Sequence, residues 1–137
     1  MIETLSVNVG GQGLHDVTRS VTELVSTMIS ADDYEGLCTL YIQHTSASLL
    51  IQENYDPAVC RDLEAWLNRL VPENDSLYTH TQEGPDDMPA HIKSALTAVS
   101  LSIPVLGSRL ALGTWQGIFL WEHRHHRGKR DIVVVLG

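Results

Sequence analysis

The chain is short of several things. It has two cysteines, Cys38 and Cys60, which is too few for a disulfide framework, and their spacing is not that of a metal site. They read as reduced, partly buried thiols of a reducing compartment. Basic residues are scarce: 9 Lys and Arg stand against 17 Asp and Glu, a formal charge of −8. That balance argues against nucleic acid or an anionic membrane as the main partner. No apolar run approaches the roughly 18 residues of a membrane span. The N-terminal MIETLSVNVGG lacks the basic flank and apolar stretch of a signal peptide, so the expected location is the cytoplasm. There is one phenylalanine, and aromatic residues make up only 6% of the chain, yet the overall hydrophobic share of 43% is ordinary for a globular protein. A length of 137 residues without a composition shift predicts a single domain over 1–137.

Chemistry is concentrated between His80 and His91. These twelve residues hold two histidines, three acidic residues, two prolines and a glycine. Gly84-Pro85 predicts a turn, and Asp86 or Asp87 can cap a helix that begins near Met88. Met88, Ile92, Ala95, Leu96 and Val99 fall at helical spacing, and His91 falls in the first turn.

Elsewhere the pattern alternates between strands and helices. Leu5, Val7 and Val9 mark a half-buried strand, and Gly10, Gly11 and Gly13 read as its connection to a helix capped by Asp16. The apolar face of that helix is Val17, Val21, Leu24, Val25, Met28 and Ile29. The glycine cluster lacks the Lys-Ser/Thr of a phosphate loop. Strand formers run from Leu37 to Gln43, and His44-Thr45-Ser46-Ala47-Ser48 interrupts them before Leu49-Leu50-Ile51. A histidine among hydroxyls inside an apolar stretch suggests a wall of a cavity. Asp56 and Pro57 open a second helix, whose buried stripe is expected at Val59, Leu63, Trp66, Leu67 and Leu70.

Strands follow at Leu101–Leu106, Arg109–Leu112, Thr114–Glu122 and Asp131–Leu136, with Gly128 marking a hairpin between the last two. In Thr114–Glu122 the face of Trp115, Gly117, Phe119 and Trp121 is expected in the core, and Thr114, Gln116 and Glu122 at a pocket edge. Four of the nine basic residues lie at Arg124, Arg127, Lys129 and Arg130, which reads as a charged hairpin tip in solvent.

Several of these segments, in order, resemble the YjbQ family: HTSAS from His44, ENYDP from Glu53, GPDDMPAHIK from Gly84, Ile103-Pro104, Arg109-Leu110, GTWQGI from Gly113 and Glu122-His-Arg124. The resemblance implies an α+β fold, with a β-sandwich-like core of mostly antiparallel strands and about three helices in one compact domain, assembled as a homotrimer. It also implies a pocket, at or near a subunit boundary, gathering His44, His80, His91, Asn54, Asp87, Thr114, Gln116 and Glu122. The activity implied is that of a secondary thiamine-phosphate synthase, joining an aminopyrimidine diphosphate to a thiazole phosphate with release of pyrophosphate. A divalent ion held by carboxylates such as Glu53, Asp86, Asp87 and Glu122 would neutralise the leaving group, and Arg109 or Arg124 would hold a phosphate.

Two other readings follow from the residues. One is a metal-dependent hydrolase or lyase acting on a small metabolite, with His44, His80 and His91 as ligands of zinc. A weaker form uses Ser46 or Ser48 as nucleophile beside His44 or His91. The other is a trimer that binds a small ligand without catalysis.

Overall fold

A computed structural model describes all 137 residues. Eight strands and three helices occur in the order β1 (Ile2–Val9), β2 (Gly13–Asp16), α1 (Thr18–Met28), β3 (Gly36–Ile42), β4 (Ala47–Glu53), α2 (Pro57–Leu70), α3 (Asp87–Leu96), β5 (Ser100–Leu106), β6 (Arg109–Leu110), β7 (Gln116–Glu122) and β8 (Gly128–Leu136). One sheet has the order β1-β8-β3-β5-β6 and the other β2-β7-β4, and every pairing is antiparallel. The α+β class, the antiparallel sandwich and the three helices are those expected.

The two sheets bury alternate residues against each other. Leu40, Ile42, Ile132 and Val134 face Leu49, Ile118 and Leu120, and α1 closes the same core with Val21, Val25 and Met28. Burial of this kind contributes about 25 cal/mol per Å² of apolar surface, which makes it the main driving term of the fold. The opposite face of the smaller sheet carries Leu50 and Trp121, covered by Leu63, Leu67 and Val71 at α2 and by Ile92 of α3. The layers are therefore large sheet with α1, small sheet, then α2 and α3.

Six expectations about local structure change here. The glycine segment does not lead straight to α1, because Gly13–Asp16 pairs with β7 as a separate strand. Gly13 has a φ of +129°, and a Cβ there would run into the Glu64 carboxylate that accepts the Leu14 N–H. Asp56 does cap α2, accepting the Ala58 N–H at 2.9 Å, but of the stripe expected on that helix only Leu67 is fully buried. Trp66 and Leu70 are more than half exposed. On α3 the expected face is only partly inward: Met88 and Ile92 are half-buried, but Leu96 and, beyond the helix, Val99 are exposed, whereas Asp87, Ala90, Lys93 and Ser94 are buried. The helix sits on a polar interior, which periodicity of apolar residues does not detect. Trp115, expected in the core with Phe119 and Trp121, is exposed and stacks edge-on to Tyr55 at 4.8 Å.

Finally, β7 and β8 are not a hairpin. They lie in different sheets, so the segment from His123 to Arg127 turns the corner of the sandwich. The basic run on this corner is correspondingly not all in solvent. Arg130 is buried and Arg124 is tied to α3.

Candidate functional site

The corner at the end of β7 lies beside the connection from β3 to β4 and the start of β8. Glu122 pairs in register with Ala47, which places His123 and Arg124 next to the segment that leads into β4. Gln43 donates its N–H to the Asp131 carbonyl, which brings His44 against the start of β8. Polar side chains from three loops are thus held at one end of the sandwich.

The inner group is built on Arg130. It occupies the inward side of β8 in step with Ile132, Val134 and Leu136. Its Nε and Nη2 donate to Glu122 Oε1 and Oε2 at 2.6 and 2.7 Å, and Nη2 also donates to Ser46 Oγ at 3.0 Å. This two-toothed geometry is the strong form of a carboxylate–guanidinium pair. Nη1 faces His44 Nδ1 at 3.2 Å, and the Asp131 N–H donates to His44 Nε2 at 2.9 Å. Both ring nitrogens therefore meet donors, although a neutral imidazole accepts at one only. Burial, and then the charge of Arg130, lowers the pKa of His44.

The outer group forms around the first turn of α3. Asp87 Oδ2 lies 2.6 Å from His80 Nε2 and 3.2 Å from His91 Nε2, and Oδ1 lies 3.4 Å from Arg124 Nη1. The Asp87 side chain is 4% exposed, while the imidazoles reach solvent. Burial pushes the Asp87 carboxyl upward, but the His80 hydrogen bond and the charges of Arg124 and His91 outweigh it and leave the group below the usual range. One ligand atom from each of His80, Asp87 and His91 lies within 4.8 Å of the others, a spacing open to a metal ion. The neighbouring Asp86 does not use its side chain as a cap. It accepts from the His125 N–H at 2.9 Å and from Arg124, and so locks the corner onto α3.

His91 and His44 line one groove of about 620 Å³, together with Thr45, Ser94 and Tyr41. His80 faces a second pocket of about 320 Å³ that includes Tyr78 and Asn74. The three-donor cluster contains Asp87 where the sequence reading put His44, whose nitrogens are engaged by Arg130 and Asp131.

Other anticipated residues are elsewhere. Asn54, Thr114 and Gln116 lie at the far end of the small sheet, where Gln116 pairs with Glu53 and accepts the Gly113 N–H. Strand β7 separates them from Glu122 by roughly 20 Å at its rise per residue. Arg109 is on β6, in a cleft against Thr22 and Ser26 of α1, and shares no pocket with the histidines. The anticipated pairing of Ser46 or Ser48 with His44 or His91 is also replaced. Ser48 Oγ bonds His123 Nε2 at 2.8 Å, and both residues are closed to solvent.

Residues 3–137 match the family described as UPF0047 protein YjbQ-like. The chain belongs to the YjbQ family. It is similar to a UPF0047 protein of Synechocystis sp., 48% identical over 96% of this chain and 88% of that one. It is also similar to YjbQ of Escherichia coli O157:H7, 45% identical over 98% and 95% respectively. Among solved structures, an uncharacterized yjbq/upf0047 family protein of Clostridium acetobutylicum superposes with a TM-score of 0.82 at 31% identity, covering 100% of this chain and 99% of that one. A conserved hypothetical protein from Thermus thermophilus gives the same TM-score at 33% identity, with coverage of 98% and 99%. In this YjbQ-family chain the sequence reading missed Arg130 and His123 as interior groups. The signal for Arg130 was available: it is in phase with the apolar alternation of β8.

Proposed function

We propose that this YjbQ-family protein is a metal-dependent enzyme of the hydrolase or lyase type acting on a small polar metabolite. The observation that carries the reading is the convergence of His80 Nε2, Asp87 Oδ2 and His91 Nε2. Two imidazoles and one carboxylate with solvent on the open side are a donor set suited to zinc and similar ions. Such an ion would act as a Lewis acid and make water a stronger nucleophile at neutral pH.

The chain's own groups supply the rest. Arg124 and the buried position of Asp87 fix the carboxylate, and a bound ion would take the place of the proton that Asp87 Oδ2 now shares with His80 Nε2. Glu83, 62% exposed with Oε2 4.0 Å from His80 Nε2, is the adjacent carboxylate placed to take a proton. The groove on the His91 side receives the metabolite against Thr45 and Ser94, and His44, set between Arg130 and the Asp131 N–H, forms a fixed wall.

The second reading keeps the thiamine-phosphate synthase activity implied by the family resemblance, with magnesium at the same cluster beside pyrophosphate. Its phosphate grip is the weak point within one protomer. Arg109 is in another cleft, and Arg124 is spent on Asp86, Asp87 and the Glu83 carbonyl. A homotrimer would help either reading, since a neighbouring copy could bring Asn54, Thr114 and Gln116 to the groove.

Metal analysis of purified protein, beside His80→Ala and His91→Ala, tests the proposal. Near-stoichiometric zinc, iron or manganese lost in both variants is expected. Absence of bound metal after dialysis against each ion, or retention in both variants, would sink it. Turnover of the two synthase substrates with a strict magnesium requirement would favour the second reading.

A further inference from the structure

We propose that the cleft between α2 and α3 is a second ligand site, which takes a small α-amino acid by its carboxylate on Lys93 and Asn68 and its ammonium on Glu73. This site is independent of the metal reading above. Lys93 lies on the inward side of α3 and is 3% exposed. Its ammonium has three hydrogens to donate, and the only acceptor it meets is Asn68 Oδ1 at 2.6 Å. Burial works against its charge and lowers its pKa; the charges of Glu73 and Asp86 oppose that, but neither carboxylate pairs with it. The Glu73 carboxylate bonds the His125 ring, and Asp86 is held by Arg124 and the His125 N–H.

A buried cation with unspent donors is stable only where something polar meets it. Lys93 faces a cleft of about 270 Å³, a volume suited to an amino acid. Asn68 lines the same cleft beside Lys93, with its amide nitrogen uncommitted, so the cleft holds two donors as neighbours. Glu73 and the Gln12 side chain line the remainder. Gln12 donates its amide to the His123 carbonyl, which turns its oxygen acceptor free. Donors (Lys93, Asn68) and acceptors (Glu73, Gln12) on the walls of one cleft are a set that a zwitterion satisfies and that a simple anion or cation satisfies only in half.

The test is a titration of the full chain, ¹⁵N-labelled and in the presence of a chelator, with glycine, acetate and methylammonium at constant ionic strength. Glycine should give saturable shifts confined to Gln12, Asn68, Glu73, Lys93 and His125, at lower concentration than acetate, and methylammonium none. Asn68→Asp keeps an acceptor for Lys93 but puts a negative charge beside the ligand carboxylate, and should weaken glycine binding at least tenfold. Lys93→Met is the second variant, with thermal melts of both to confirm folding. No saturable shift with glycine, shifts centred on His80 and His91, or unchanged binding in both variants overturns the site. Equal affinity for acetate and glycine overturns the part given to Glu73.

Discussion

Arg130 grips Glu122 through two parallel hydrogen bonds of 2.6 and 2.7 Å where neither side chain is more than 10% exposed. This pair joins the two sheets, since Glu122 ends β7 and Arg130 is the third residue of β8. Removing one partner leaves the other charge buried. Arg130→Met is expected to cost about 3–5 kcal/mol, as for other broken buried pairs. The double variant with Glu122→Leu should recover much of that loss. Urea denaturation of the two single variants and the double variant measures the coupling, and additive losses would show that the pair is not the unit of stability.

Asp87 is the hub of the outer group, so its removal should differ from that of the histidines it aims. Asp87→Asn loses the charge that receives His80, His91 and Arg124. It should destabilise the fold by roughly 2–3 kcal/mol, in the range for hydrogen bonds to charged groups. His91→Ala, at a half-open position, should change stability by less than about 1 kcal/mol while removing any bound ion. Thermal melts with metal analysis separate the two. A His91→Ala protein that unfolds would make the residue structural.

His123 sets a pH dependence. Burial, helped by Lys93 and Arg130, pushes its pKa from 6.5 down to about 3. Above pH 6.5 the imidazole is neutral in both the folded and the unfolded chain and contributes nothing to the pH slope. As pH falls from 6.5 towards 3 the unfolded chain binds a proton that the folded one refuses, so stability falls by about 2 kcal/mol at pH 5. Asp86 and Asp87, both depressed below the ordinary carboxylate range, add a further loss only at lower pH, as the unfolded carboxylates take up protons that the folded ones still refuse. Stability from urea melts is expected to hold level from pH 8 to about 6.5 and then fall towards pH 4, and His123→Gln should flatten the fall between about pH 6.5 and 5.

The two aspartates before helices have different jobs. Asp56 accepts the Ala58 N–H, and Asp56→Ala should cost about 1 kcal/mol, the usual value of a cap. Asp86 makes no cap bond but holds Arg124 and the His125 N–H from a buried position, so Asp86→Ala should cost more, about 2–4 kcal/mol. Equal losses in denaturation would mean that the corner is not anchored through Asp86.

Cys38 tests the core directly. It is closed to solvent, and burial raises its thiol to about 11. Native protein should therefore show no Cys38 labelling by a thiol reagent at pH 8, and labelling in urea should follow global unfolding. Rapid native labelling at Cys38 would contradict the packing of β3.

The sequence by itself determined most of the elements, and its resemblance to the YjbQ family implied the class of fold. The alternation of Leu5, Val7 and Val9 and the helical spacing of Val21, Val25 and Met28 were legible because apolar burial imposes a period on each element separately. The concentration of chemistry between His80 and His91 was legible too, because turn residues, acids and histidines are identifiable without partners. Only the tertiary structure decided which of those groups meet. The inward face of α3 is polar, so its true orientation ran against the apolar periodicity. The placement of β7 and β8 in different sheets turned an apparent hairpin into a corner and carried Arg124 and Arg130 out of solvent. Contacts such as Asp87 with His80, or Arg130 with Glu122 and His44, depend on how three distant loops are registered at one end of the sandwich. That register is fixed by pairing between strands far apart in the chain, and no local pattern records it.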